Sequence, residues 1–199
     1  MIKSDCDDFL TSTDATIFAL KKKNYNKIYA LGTRSFKNQL ISSGLPVTDE
    51  LCSGIDCLCM GFDTELTFKK LEDACRLLKN DIDYIATNPD WVCPTEFGYV
   101  PDCGSVSEMI FNATGKRPKF IGKPEPEMAY LSMAKFGFTK EETVVVGDRI
   151  YTDIACGKNA GICTVFVLSG EGTKADIEKY GIEPDYIYRD IKEMYMNLK

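Results

Sequence analysis

The chain alternates strand-like runs with helix-like segments along most of its 199 residues. Many of these runs are continuous stretches of apolar, often β-branched residues. Strands have this composition when helices cover both faces of a parallel sheet. The clearest runs are KIYALG, CLCMG, DYIAT, TVVVG and ICTVFVL. The sequence therefore predicts an α/β fold.

Composition and charge limit the kinds of partner. The net charge is −6, and the only basic cluster is KKK at positions 21–23, so we expect no nucleic-acid partner. No apolar run is long enough to span a bilayer, and the N-terminal segment MIKSDCDDFL lacks the apolar stretch of a secretory signal. We therefore expect a cytoplasmic protein with no membrane partner.

The chain contains no histidine, which excludes Ser-His-Asp and Cys-His catalysis and every histidine-ligated metal site. Its nine cysteines include no C-x-x-C pair, a pattern typical of reduced intracellular thiols. Cys52, Cys57 and Cys59 lie close together in sequence and leave two possibilities open. They form a metal site, or Cys57 and Cys59 pack as small apolar groups on one face of a strand.

Three ionisable residues follow predicted strands: Lys123 after KFIG, Asp148 after TVVVG, and Asp153 at the start of the next helix. In open α/β sheets, ligands bind outside the carboxyl ends of the strands. Each aspartate alone is also explained by a turn or a helix N-cap. Together, two carboxylates and a lysine suit a hard cation with an anionic ligand, because Mg²⁺ is held by one or two carboxylates plus phosphate oxygens.

Three segments carry a resemblance to a known family: ATNPD, IGKPEPEMA and VVVGDRIYTDIACGKNAGICTVFVLSG. They resemble the haloacid dehalogenase (HAD) superfamily, and within it the branch of the NagD and p-nitrophenyl phosphatases. The resemblance implies a Rossmann-like core with an inserted α/β cap domain. We expect residues 26–116 to form the cap, and residues 1–25 and 117–199 to form a core that is incomplete at its N-terminus.

The resemblance also implies chemistry. Enzymes of this branch hydrolyse small phosphorylated metabolites with Mg²⁺ through an aspartyl-phosphate intermediate. Lys123 matches the lysine that neutralises the nucleophile and the phosphoryl group. Asp148 matches the residue that ligates Mg²⁺, and Asp153 matches its supporting carboxylate, so both are candidate metal ligands.

Substrate contacts are expected from the longest stretch without a regular pattern, residues 87–105, because long irregular loops tend to carry function. Its first part, TNPD, supplies Asn88, Pro89 and Asp90 as candidate substrate-binding residues, together with Lys123. A homo-oligomer formed through the cap is a further expectation.

The sequence departs from the family at its N-terminus, since the nucleophile motif DxDGT is absent from the 199 residues. Asp5 and Asp7 have the motif's separation, but only four residues precede them, no glycine follows, and Phe9 stands where a small residue belongs. A solvated acidic terminus explains them better. We expect the strand–helix–strand unit that carries the nucleophile to be missing, which would leave the TVVVG strand as an exposed apolar edge.

Two functions remain open on the sequence alone. The first is a Mg²⁺-dependent phosphatase that, as this truncated chain, is inactive or strongly impaired and binds Mg²⁺ weakly. The second is a non-catalytic remnant of the family that binds phosphate-containing ligands or pairs with another chain.

Overall fold

A computed structural model describes residues 3–5 and 8–198, so Asp7 lies outside the described residues. The chain divides into two compact units, Met1–Gly122 and Lys123–Lys199. Both units combine a parallel sheet with helices, which confirms the predicted α/β class.

The first unit is built on a parallel five-stranded sheet with the order β2-β1-β3-β4-β7. Its strands are β1 (Ile28–Leu31), β2 (Val47–Thr48), β3 (Cys57–Met60), β4 (Asp83–Ala86) and β7 (Lys119–Phe120). A separate antiparallel hairpin consists of β5 (Val92–Thr95) and β6 (Gly98–Pro101). The helices are α1 (Ser12–Lys21), α2 (Arg34–Ser42), α3 (Phe68–Leu77) and α4 (Cys103–Thr114).

Local sequence explains the elements of the first unit. Every residue of β1 and β3 is buried, as expected for strands covered on both faces. Three helices begin after a threonine, Thr11, Thr33 or Thr67, whose hydroxyl accepts a backbone N–H of the first turn. Such caps satisfy donors that a helix N-terminus leaves unpaired.

The cysteines of β3 pack as core residues. Cys57 and Cys59 are fully buried, whereas Cys52 is exposed. Burial raises the pKa of the Cys57 thiol to about 12 and that of Cys59 well above its usual value. Since the thiolate is the metal-binding form, and since the described residues contain no group of three or more possible ligands, the apolar-packing interpretation accounts for them.

The second unit has a parallel three-stranded sheet with the order β10-β9-β8. Its strands are β8 (Val144–Gly147), β9 (Cys163–Val167) and β10 (Tyr186–Tyr188). Its helices are α5 (Glu127–Phe136), a π-helical segment (Ile150–Ile154), α6 (Ala155–Ala160), α7 (Ala175–Tyr180) and α8 (Ile191–Asn197). β8 is an edge strand, and Val144 and Val146 are 43% and 36% exposed, so the expected apolar edge is present.

The predicted bounds of the cap and the core stay predictions. In the structure β7 pairs with β4, and the first compact unit ends at Gly122. The structure differs from the sequence analysis in one place. Residues 87–105 were expected to be irregular, but they contain the β5–β6 hairpin and the start of α4. The assignment of residues 1–25 to the core stays a prediction.

No helix in the described ranges combines the length and the apolar character needed to cross a membrane.

Asp185 ties α6, β9 and β10 together in the second unit. Its Oδ1 lies 2.7 Å from Lys158 Nζ, and its Oδ2 accepts the backbone N–H and the hydroxyl of Thr164 at 2.8 and 2.7 Å. The ion pair with Lys158 and the hydrogen bonds from Thr164 lower the pKa of Asp185 to about 2. Because this folded-state pKa is depressed, the carboxylate stabilises the fold above its unfolded pKa, and that contribution is lost as pH falls towards 2.

We expect Asp185→Asn to lower the free energy of unfolding at pH 7 by about 1 kcal/mol, a modest value because the carboxylate is 40% exposed and solvent screens the ion pair. The difference between the variant and the wild type should shrink between about pH 4 and pH 2. Urea unfolding at several pH values measures it, with Glu183→Gln as the exposed control. A difference that stays constant down to pH 2 would contradict this role for the carboxylate.

Candidate functional site

Asp148 is held at the carboxyl end of β8 by the loop that follows β9. Its Oδ2 accepts the backbone N–H of Glu171 at 2.8 Å, and its carbonyl oxygen accepts the backbone N–H of Gly172 at 3.0 Å. The side chain is only partly buried. Two bonds from one loop therefore fix both the backbone and the carboxylate of this residue.

Asp153 lies in the π-helical segment, and it is only 7% exposed. Its Oδ1 lies 2.5 Å from Lys123 Nζ, and its Oδ2 accepts the backbone N–H of Arg149 at 3.2 Å. A buried carboxylate needs such partners because an unpaired charge is costly to bury. The structure thus brings together Lys123 and Asp153, two of the predicted residues, and joins them to the residue that follows Asp148. Wide π-type turns of this kind are frequent at functional sites.

Two glycines allow the aspartates to approach the backbone closely. A Cβ added at Gly147 would lie 2.1 Å from Cβ of Asp153, and one added at Gly170 would lie 1.9 Å from Oδ2 of Asp148. Real Cβ atoms do not come this close to other heavy atoms. Only glycine therefore fits at these two positions while the carboxylates keep their places.

Sequence reasoning missed the loop of residues 170–172 and the side chain of Arg149. The Arg149 guanidinium pairs with the Glu171 carboxylate, with Nη2 and Nε at 2.5 and 3.1 Å from Oε2. This pair fastens the loop to the turn that carries Asp148. The available signal was the segment SGEG directly after the strand ICTVFVL, since loops at the carboxyl ends of neighbouring parallel strands meet at one edge of a sheet.

The helix α6 supports the site by close packing of its small residues. Ala155, Cys156, Gly157 and Ala160 are all buried. A Cβ at Gly157 would lie 2.4 Å from Thr164 Cγ2 of β9, so this glycine lets the helix approach the sheet. Burial raises the pKa of the Cys156 thiol, which donates to the carbonyl oxygen of Glu125 at 3.2 Å.

The other predicted residues, Asn88, Pro89 and Asp90, lie in the first unit, directly after β4. The Asn88 side-chain oxygen accepts the backbone N–H of Asp90 at 3.0 Å, and the Asp90 carbonyl accepts the backbone N–H of Gly104 at 2.8 Å. A Cβ at Gly104 would lie 2.3 Å from the Pro89 carbonyl oxygen, and one at Gly122 would lie 2.6 Å from that of Thr87. The loop is therefore closely packed against two glycines.

The carboxylate oxygens at the site in the second unit are suitable ligands for a hard cation. Among the described residues, hydrogen bonds to the Asp148 carboxylate involve only Oδ2, so Oδ1 remains for a metal ion. Both oxygens of Asp153 are engaged by Lys123 and the Arg149 backbone. Hard divalent cations such as Mg²⁺ prefer carboxylate oxygens and keep several waters. The arrangement offers one direct carboxylate ligand with a cation, Lys123, in the same cluster.

Comparisons with known proteins identify the family of the chain. A family model described as HAD-hydrolase-like matches residues 120–194, a range that includes Lys123, Asp148 and Asp153. The acid sugar phosphatase of Staphylococcus epidermidis is 34% identical over 186 residues, which cover 93% of this chain and 71% of that protein. The chain belongs to the NagD-like phosphatases of the HAD superfamily.

Solved structures of HAD phosphatases match the fold closely. The 4-nitrophenylphosphatase of Thermotoga maritima is 38% identical, with a TM-score of 0.85 over 93% of this chain and 70% of that one. A glycerol phosphate phosphatase of Mycobacterium tuberculosis, solved in complex with magnesium, is 26% identical, with a TM-score of 0.90 over 96% of this chain and 59% of that one. The HAD phosphatase resemblance is thereby confirmed at the level of family and fold.

We expect a double-mutant cycle with Lys123→Met and Asp153→Asn to give a coupling energy of about 1 kcal/mol, because Asp153 is buried while the half-exposed lysine is partly screened. Urea unfolding of the two single variants and the double variant measures it. A matched cycle on the exposed pair Lys23–Asp83 should give a smaller value. Equal coupling in the two cycles would show that burial of Asp153 does not strengthen its ion pair.

Proposed function

We propose that this chain carries the metal-binding and phosphate-binding part of a Mg²⁺-dependent phosphatase of small phosphorylated metabolites. The observation that supports this proposal is that Lys123, Asp148 and Asp153 lie in one unit and are connected. Lys123 pairs with Asp153, and the backbone N–H that Asp153 accepts belongs to Arg149, the residue after Asp148. The named activities of the relatives, on sugar phosphates and glycerol phosphate, support the substrate class.

Lys123 supplies positive charge to an anionic group. Its side chain is 45% exposed although the ammonium group is fixed by Asp153, so a phosphoryl group from solvent can reach it. A fixed ammonium group loses little side-chain freedom when it binds an anion, and it stabilises negative charge without reorganising. Asp153 acts as a positioning residue that holds this lysine.

Asp148 is the proposed direct ligand of Mg²⁺. Asp153 is not a direct ligand in this proposal and acts through the residues that it binds. When bound, the cation would polarise phosphoryl oxygens and offset their charge. The loop 170–172 orients the Asp148 carboxylate through the Glu171 N–H. A relative solved with magnesium supports the choice of ion.

Asn88, Pro89 and Asp90 are proposed as substrate-contacting residues on the ground that their loop is held closely by Gly104 and Gly122.

We also propose a cytoplasmic location, supported by a cysteine-rich sequence without C-x-x-C pairs. We further propose that residues 26–116 act as the cap domain.

No DxDGT motif occurs in the 199 residues, and we propose that this chain alone does not complete the covalent route. Lysine and metal stabilise charge, but an aspartyl-phosphate cannot form without a carboxylate nucleophile in reach. The exposed edge of β8 supports this proposal. Val144 and Val146 are exposed on an edge strand, whose free backbone groups can pair with a further strand.

We expect the purified chain with Mg²⁺ to hydrolyse p-nitrophenyl phosphate no faster than background. Fusion of a strand–helix–strand unit with a DxDGT motif to its N-terminus should produce turnover, and Lys123→Met or Asp148→Asn should abolish that turnover. Glu183→Gln is the control that should retain it. Turnover by the chain alone that is lost on Asp5→Asn or Asp7→Asn would contradict the proposal and assign the nucleophile to DCD. If the fusion stays inactive but binds phosphate, the non-catalytic alternative would replace the enzyme.

Mg²⁺ binding by the chain alone should be weak, because Asp148 is the one proposed direct ligand and a cation held by so few fixed oxygens keeps most of its waters. Titration calorimetry should show a weak isotherm that disappears in Asp148→Asn and persists in Asp185→Asn. Tight binding lost on Asp148→Asn would mean that further ligands exist.

A further inference from the structure

Arg149 is connected to both aspartates of the candidate site, by a different route to each. Its backbone N–H is donated to Oδ2 of Asp153 at 3.2 Å. Its guanidinium pairs with Oε2 of Glu171, which lies 2.5 Å from Nη2 and 3.1 Å from Nε. The backbone N–H of Glu171 is in turn donated to Oδ2 of Asp148 at 2.8 Å. The main chain of Arg149 therefore holds one carboxylate, and its side chain holds the residue that orients the other.

The loop of residues 170–172 lies directly against Asp148. The backbone N–H of Gly172 is donated to the Asp148 carbonyl oxygen at 3.0 Å, and a Cβ at Gly172 would lie only 2.2 Å from that oxygen. Two glycines in three residues allow this approach, but they also give the loop backbone more conformational freedom than other residues would. A loop of this composition needs a side-chain anchor to stay in one conformation, and the Arg149–Glu171 pair supplies one.

The form of the ion pair suits orientation more than overall stability. Two N–H groups of the rigid guanidinium converge on one carboxylate oxygen, so the contact fixes direction as well as distance. The Glu171 side chain is nevertheless 45% exposed, and ion pairs this accessible contribute little to folding stability. Its loss should leave the unit folded and should mainly change the direction of the Glu171 N–H, and with it that of the Asp148 carboxylate.

The two charges of the pair allow orientation to be separated from direct electrostatics. A positive charge near a cation site weakens cation binding, so removal of the Arg149 charge alone would tighten it, whereas removal of the Glu171 charge would weaken it. If the pair acts by orienting Asp148, loss of either partner weakens binding. The two explanations therefore predict opposite signs for a neutral residue at position 149.

We propose that Arg149 is a positioning residue of the metal site, whose ion pair with Glu171 holds the Asp148 carboxylate in the orientation that binds a divalent cation. The inference rests on the proposed function, since it assumes that Asp148 is the metal ligand. Partners that orient metal ligands typically change metal affinity by about 10- to 100-fold. The exposure of Glu171 places this pair at the lower end of that range.

Mn²⁺ binding to the whole chain tests the proposal, because Mn²⁺ takes carboxylate and water oxygens as Mg²⁺ does. The paramagnetic resonance signal of the free ion gives the dissociation constant. We expect Arg149→Met and Glu171→Gln each to raise that constant about 10-fold. The double variant should raise it no further, since both changes remove the same ion pair. Arg189→Met, which removes an arginine paired with Glu193 in the same unit, is the matched control and should bind Mn²⁺ like the wild type.

Hydrogen exchange of the Glu171 backbone N–H, followed by NMR without metal, tests the orientation step by itself. This N–H is protected in the wild type by its bond to Asp148. In Arg149→Met it should exchange roughly 10-fold faster, because the loop opens more often once its anchor is lost. The exchange rate should be unchanged in Arg189→Met.

Circular dichroism and thermal midpoints establish that each variant is folded, and Glu171→Gln, at an exposed side chain, serves as the second variant. Tighter Mn²⁺ binding by Arg149→Met would overturn the inference in favour of a direct charge effect. An unchanged affinity in both folded variants, or an unchanged exchange rate of the Glu171 N–H in Arg149→Met, would overturn it as well. A wild-type chain whose Mn²⁺ binding is unaffected by Asp148→Asn would instead disprove the proposed metal site, and the inference would fall with it.

Discussion

The site of the second unit depends on the burial of the Asp153 carboxylate. A carboxylate that is 7% exposed persists as a charge only when donors surround it, and its donors are the Lys123 ammonium and the Arg149 N–H. The Lys123 ammonium links the beginning of the unit to the π-helical segment, and the Arg149 N–H fixes the turn after β8. The position of Asp148, one residue before Arg149, follows from the same bonds. One buried charge thus orders three separate parts of the chain.

The alternation of apolar runs was enough to predict the α/β class and the strands β1, β3 and β4, because strands buried on both faces leave a strong local pattern. The two-residue strand β2 leaves none. For β7 the segment KFIG predicted the strand, but its pairing with β4 is decided by residues far away in sequence. The hairpin escaped prediction for another reason. Pro94 and Pro101 interrupt the apolar pattern that would predict its two strands.

For the site, the spacing in GDxxxTD and the lysine before Pro124 were sufficient to select Lys123, Asp148 and Asp153. The sequence could not show that both oxygens of Asp153 are engaged, because an aspartate at a helix start equally suits an N-cap. It also could not show that Glu171 holds Asp148. That contact uses a backbone N–H from 23 residues away, and a backbone donor leaves no mark in the identity of its residue.

The charged residues of the candidate site occur within one uninterrupted run of chain, from Lys123 to Glu171, inside a single unit. Genetic recombination or mutation in the segment that encodes the first unit therefore leaves them inherited together. The hairpin and the TNPD loop can accordingly be replaced without altering Lys123, its aspartates or the residues that hold them.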